Sequence, residues 1–154
     1  MDSNQLYINS SNAIIQARNN QAQISQKELE LQLLDINNRY SNPYSYSFDC
    51  IKRQTIEMEI VNLKSNRDMH INYAIDYALM LAEQDIAYNN SYSMATIAIG
   101  TINSFISSYK VDFKLLVSLQ MKISDLSSKL LFSEKKHFNL KSEINRLKSL
   151  CNIY

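Results

Sequence analysis

A chain of 154 residues with one glycine (Gly100), one proline (Pro43) and no tryptophan has little with which to change direction. Glycine supplies the positive-φ corners of tight turns and proline their rigid ones, so a shortage of both excludes folds that reverse often. An all-β or α/β domain of this length needs many turns, which leaves long helices joined by two or three connections. The same shortage excludes a P-loop or a dinucleotide fingerprint, because each needs several glycines whose backbone closely approaches phosphate.

Cysteine is also scarce. Cys50 and Cys151 fall in no CxxC or CxxH pattern and are read as reduced thiols. Residues 1–12 lack the basic-then-apolar pattern of a signal peptide, so a cytoplasmic location is expected. His70 and His137 belong to no HExxH motif, and no spacing of Cys, His, Asp and Glu suits zinc; both histidines are read as core or seam residues, and neither metal nor cofactor is expected. Glu57 with Glu59, or Asp76 with Glu83 and Asp85, could be proposed as catalytic carboxylates. They have no companion base, nucleophile or glycine-hinged lid, so they read as a solvated helix face and the chain as no enzyme.

Charge of neither sign dominates: 16 lysines and arginines against 15 acids give a net of +1 and no overall pull toward nucleic acid. The distribution is uneven. Residues 68–109 carry Asp68, Asp76, Glu83 and Asp85 with no lysine or arginine, whereas 129–148 is basic. Glu134 and Glu143 interleave with the lysines there, as on the flanks of a coiled coil, so nucleic acid is not an expected partner. The uncharged run Ser91–Tyr109 is shorter in apolar content than a spanning helix and contains Asn103 and several serines. Burial in a protein core is therefore favoured over membrane insertion through residues 94–106.

What is present is helical periodicity. Residues 1–12 are polar and read as a flexible arm, leaving 13–154 as a single helical domain. A first helix over about 13–40 repeats Ile15, Ala22, Leu29 and Ile36 at seven-residue spacing, with Leu33 and Tyr40 on the same face; Ser25 and Glu28 offer a capping box and a second start near Gln26. Ser41–Ser47, holding Pro43, is the clearest reversal, with Tyr40, Tyr44 and Tyr46 gathered around it. A second helix over about 48–88 carries Ile56, Ile60, Leu63, Ala74, Tyr77 and Leu81 at steps of three and four, interrupted by Arg67 and His70. A third, over about 93–151, keeps a heptad frame through Ile102, Phe105, Tyr109, Leu116, Leu119, Ile123, Leu126, Leu130, Leu140, Ile144, Leu147 and Cys151. Only Asp112, Ser133 and His137 are out of place, and Ser127, Ser128 and Ser133 are the expected bends.

The expected architecture is all-α: a helical hairpin of two long helices, a shorter N-terminal helix and a coiled-coil-like C-terminal rod. If the second and third helices fold back about Asn90, Leu81 faces Ile102, Leu63 faces Leu119, and nothing lies opposite the rod beyond Ser133. That overhang makes Leu130, Leu140, Ile144, Leu147 and Cys151 the expected partner-binding residues, for a second copy or another helical protein. The leading expectation is a non-enzymatic scaffold, adaptor or chaperone-type protein. Its Asn- and Ser-rich, glycine-poor helical character resembles that of small virulence-system chaperones and secretion-apparatus subunits, although no motif ties it to a family. Two alternatives stand beside it: a structural subunit joining its acidic 76–85 tip to a neighbour's basic tail, and a membrane-active translocator or pore component using residues 94–106.

Overall fold

The computed structural model describes residues 1–38, 46–90, 93–132 and 137–153. Five helices run through them: α1 (Ser3–Asn38), α2 (Tyr46–Ala87), α3 (Met94–Tyr109), α4 (Val117–Leu131) and α5 (Phe138–Leu150). No strand occurs among the described residues, and the fold is all-α. The Pro43 reversal, with Tyr40 and Tyr44, and the bend at Ser133 lie outside the described residues.

Two expectations are overturned. Residues 3–12 of the expected arm are helix. Asp2 caps them, its Oδ1 accepting from the Gln5 amide at 2.8 Å, and Leu6 and Ser10 are buried. The apolar content that looked too thin is sufficient because it falls on one face, with Leu6, Ser10, Ala13 and Ala17 spaced by four and three.

The C-terminal rod is not a rod. α3 ends where Lys110 takes a left-handed conformation, φ 49°, and the Val111 amide reaches back to the Ile106 carbonyl at 3.2 Å. The same closure ends α2, with Asn89 at φ 57° and Asn90 N bonded to Asp85 O at 3.0 Å. It also ends α5, with Asn152 at φ 53° and Ile153 N bonded to Lys148 O at 2.9 Å. This is the six-to-one hydrogen bond that usually recruits glycine. A chain with one glycine uses asparagine twice, whose short amide tolerates the left-handed region, and a lysine once. After Lys110 the backbone runs outside any helix over 111–116, with Val111, Phe113 and Leu115 more covered than Asp112, Lys114 and Leu116. Asn72 Oδ1 accepts from the Leu116 amide at 3.1 Å, which holds the entry to α4.

The helices fall into two compact units, one of residues 1–15 and 68–154, the other of residues 16–67. In the larger unit, the 68–87 stretch of α2 is covered on most of its circumference: Ile71, Ala74, Ile75, Ala78, Leu79, Leu81 and Ala82 are all buried. Ser10 Oγ donates to the Ala74 carbonyl at 2.9 Å and Ser3 Oγ to Gln84 Oε1 at 2.8 Å, fixing the first turns of α1 against it. α5 packs on both α3 and α4. The fully buried Asn103 of α3 donates from Nδ2 to the Glu143 carbonyl at 2.9 Å and to its Oε2 at 2.8 Å.

The single glycine sits at this contact. A Cβ on Gly100 would meet the Glu143 carboxylate at 3.6–3.7 Å, ordinary van der Waals separation, and its φ is not positive. Gly100→Ala is therefore expected to stabilise the protein by about 0.5–1 kcal/mol through reduced backbone entropy of the unfolded chain. Thermal unfolding measures this, and a lower melting temperature would contradict it.

The smaller unit is a helical hairpin of α1 against α2. Its core is Ile24, Ile56 and Ile60, with Leu31 and Leu63 packed against them. Lys27 Nζ pairs with Glu59 Oε2 at 2.7 Å, Arg53 pairs with Asp35, and the buried Arg67 donates to Gln21 Oε1 at 2.8 Å. Arg67 thus continues the seam it was expected to interrupt: its stem adds cover while its guanidinium finds an acceptor. Leu63 belongs to this hairpin core and not to a pairing with Leu119, which is buried in the larger unit.

Candidate interaction surface

The residues expected to bind a partner are core. Leu130, Leu140, Ile144 and Leu147 are 0%, 1%, 0% and 0% exposed within a single chain. The heptad frame was real but local: Leu119, Ile123, Leu126 and Leu130 of α4 and Leu140, Ile144 and Leu147 of α5 each keep steps of four and three. The breaks after Tyr109 and Leu131 let α5 meet α3 and α4, and the seam is buried among those three helices.

Cys151 is half-buried at the end of α5, and desolvation raises its thiol from 9.0 to about 11. The neutral thiol is favoured in the folded state, so its contribution to stability is complete below pH 9 and fades as pH rises through about 11. At pH 8, alkylation of Cys151 in the native protein is expected to run on the order of 100-fold slower than in the urea-unfolded chain. Mass spectrometry of the labelled peptide reads this, and equal rates would contradict it.

Several of the charges invoked for head-to-tail assembly are engaged within the chain. Asp76 Oδ1 lies 3.0 Å from Lys122 Nζ, and the buried Asp85 caps α3. Lys129 pairs with Asp125 at 3.1 Å, and Lys148 donates to Ser127. The apolar run of α3 is interior as well: Ala95, Ala98, Ile99, Ile102, Phe105 and Ile106 are buried. No helix of the described residues is long and apolar enough to cross a membrane. Among the described residues, no group of three His, Cys, Asp or Glu side chains could hold a metal ion. His137 sits buried at the start of α5, its Nδ1 without a hydrogen bond.

Exposed apolar surface lies elsewhere, and the hairpin exposes more of it than the larger unit in proportion to the apolar side chains each buries. Leu29, Leu33 and Ile36 on α1 and Phe48, Ile51, Met58 and Val61 on α2 are exposed, against four large aliphatic side chains buried in the same unit, Ile24, Leu34, Ile56 and Ile60. The α1 face singled out by periodicity is thus the wet one: Ile15, Leu29, Leu33 and Ile36 are 50%, 54%, 52% and 52% exposed. The core seam runs instead through Ala17, Ile24, Leu31 and Leu34, on the opposite side of the helix. Between α1 and α2 an open groove of about 450 Å³ is walled by Lys27, Glu30, Phe48, Ile51, Lys52 and Glu59. It is apolar toward Ile56 at its floor, with charges of both signs along its rims. Nothing in the sequence alone separated this face from the core one, since both repeat every seven residues.

Comparison with protein-family models, with curated proteins and with solved structures gives no match to this chain.

Proposed function

We propose that this chain is a non-enzymatic helical interaction protein, of scaffold, adaptor or chaperone type, whose working surface is the outer face of the α1/α2 hairpin. One observation carries the reading: among the described residues of the 16–67 hairpin, seven large apolar side chains are exposed and four are buried. Two helices packed through one narrow seam stabilise little by themselves, and an apolar surface that outweighs the core is characteristic of a segment completed by a partner. Both cysteines are free thiols, which supports a reducing, cytoplasmic setting.

The mass of the protein in solution, alone and after capture from its native extract, tests this. The wild-type chain is expected in complexes heavier than its 17.9 kDa monomer. The double variant Ile51→Asp, Met58→Asp changes two exposed side chains, so it should keep its helicity while losing those complexes. A wild-type protein that stays monomeric in both settings, or complexes that survive the double variant, would overturn the reading.

A further inference from the structure

Three large apolar side chains flank the connection between α4 and α5, and none of them turns inward. Leu130 is 0% exposed, yet Leu131 beside it is 60% exposed and Phe132 88%, more than any other large apolar side chain among the described residues. Across the connection the contrast repeats, with His137 at 5% and Phe138 at 69%. Because α4 and α5 pack on one another and few residues join them, the end of α4 and the start of α5 lie at the same end of the pair. Leu131, Phe132 and Phe138 therefore gather at one tip, while Leu130, His137 and Leu140 stay in the core.

The arrangement does not suit a helical partner. Such a partner reads an apolar row at steps of three and four, whereas two of these side chains are adjacent at the end of α4 and the third is the first residue of α5. A fluid surface makes no demand on spacing, and exposed apolar clusters with a polar surround mark membrane contacts as well as protein ones. The composition fits the first: leucine and phenylalanine enter the boundary between headgroups and acyl chains, and lysine meets anionic headgroups. In the sequence, residues 129–141 hold Lys129, Lys135, Lys136 and Lys141 against Glu134. Asp125 pairs with Lys129 at 3.1 Å, but both partners are exposed, so the pair is weak, and the balance stays positive when Asp125 is counted. Apolar residues among lysines complement a surface that is at once apolar and negative, and each basic residue near such a surface strengthens the attachment. Nucleic acid is negative too, but it is held by rings on which bases stack, and Leu131 offers none.

We infer that the tip formed by α4 and α5 docks on an anionic lipid surface. Leu131, Phe132 and Phe138 enter the interface, and the lysines of residues 129–141 supply the attraction to its phosphate headgroups. This contact is separate from the hairpin, since every residue of the tip belongs to the larger unit.

Flotation of the full chain with vesicles of about one-third phosphatidylserine should carry it into the lipid fraction, and vesicles of phosphatidylcholine alone should carry on the order of tenfold less. Raising sodium chloride to about 0.5 M should weaken attachment to the anionic vesicles. Phe132→Ser with Phe138→Ser changes two exposed side chains, so it should keep the helicity and melting temperature of the wild type while lowering vesicle affinity by on the order of tenfold or more. The chain has no tryptophan, so Phe132→Trp installs a single reporter. Its emission should shift to the blue on anionic vesicles, while that of Met121→Trp, exposed nearer the start of α4, should not. Ile51→Asp, Met58→Asp should float as the wild type does, which separates a failure at the tip from a failure of the hairpin reading. A wild-type chain that stays out of the lipid fraction would overturn the inference, as would equal flotation on both kinds of vesicle or flotation that survives Phe132→Ser, Phe138→Ser. Loss of flotation in Ile51→Asp, Met58→Asp would move the lipid contact to the hairpin and overturn it as well. Quenching of Phe132→Trp by single-stranded DNA, with no shift on vesicles, would overturn it in favour of nucleic acid.

Discussion

Shortening Leu147 to alanine is expected to destabilise the monomer by about 3 kcal/mol, read as a lower urea midpoint and a melting temperature depressed by roughly 10 °C. The leucine is fully buried on α5, which packs against α3 and α4, and the truncation removes three carbons from that site. Lost transfer energy and the residual cavity add, and together they exceed the half kilocalorie or so typical of surface changes. The measurement separates two accounts of the C-terminal leucines. Were they a wet partner seam, Leu147→Ala would leave the dilute monomer unchanged and its effect would appear only as concentration brought copies together. A loss below about 1 kcal/mol in dilute solution would restore that account. For the same reason, Leu140→Asp with Leu147→Asp is a folding lesion and says nothing about association, since it buries two carboxylates in an apolar core.

Why the sequence suggested the wet seam is visible at particular residues. The steps of three and four through Leu119, Ile123, Leu126 and Leu130, and again through Leu140, Ile144 and Leu147, were legible, and they are the buried faces of α4 and α5. The break between α3 and α4 was hidden because it is made by Lys110, which no propensity marks as a helix terminator. One signal was available. Asp112 was out of place in the heptad because Val111 to Leu115 alternates apolar and polar with period two, the mark of extended chain. On α1 the difficulty was of another kind. Two faces of one helix both repeat every seven residues, and which of them turns inward depends on where α2 comes back, through its seam of Ile56, Ile60 and Leu63. Periodicity specifies that a helix carries an apolar stripe; it does not say which stripe its own chain buries.

The composition argument held for the all-α fold class, though four connections join the five helices and not two or three. With one glycine the chain has few places to take positive φ, and among the described residues it does so at three helix ends, twice with asparagine. The connection between α2 and α3 shows what replaces a glycine-rich turn. Asp85 is buried near the end of α2, where the helix dipole disfavours a negative charge by roughly 0.3–1 kcal/mol. It is retained there by what lies across the turn. Its Oδ2 accepts from Ser93 Oγ at 3.0 Å and from the Ala95 amide at 3.2 Å, and its Oδ1 accepts from Asn90 Nδ2 at 3.3 Å. Ser93 Oγ in turn accepts from the Thr96 amide at 3.1 Å. One carboxylate thus satisfies the first turn of α3 and faces the positive end of that helix, which outweighs its poor position on α2.

Asp85→Ala is accordingly expected to cost about 3 kcal/mol, more than an exposed N-cap loss, because it leaves the Ala95 amide and the Ser93 hydroxyl without their acceptor inside the protein. Asp85→Asn, which keeps the shape and one acceptor oxygen, should cost about 1 kcal/mol. The loss should be local before it is global: amide exchange at Ala95 and Thr96 should accelerate in Asp85→Ala under conditions where the amides of α5 stay protected. A variant within 0.5 kcal/mol of wild type, or exchange that quickens equally in α3 and α5, would mean that the α3 terminus is held by the packing of Ala95, Ala98 and Ile99 and not by its cap.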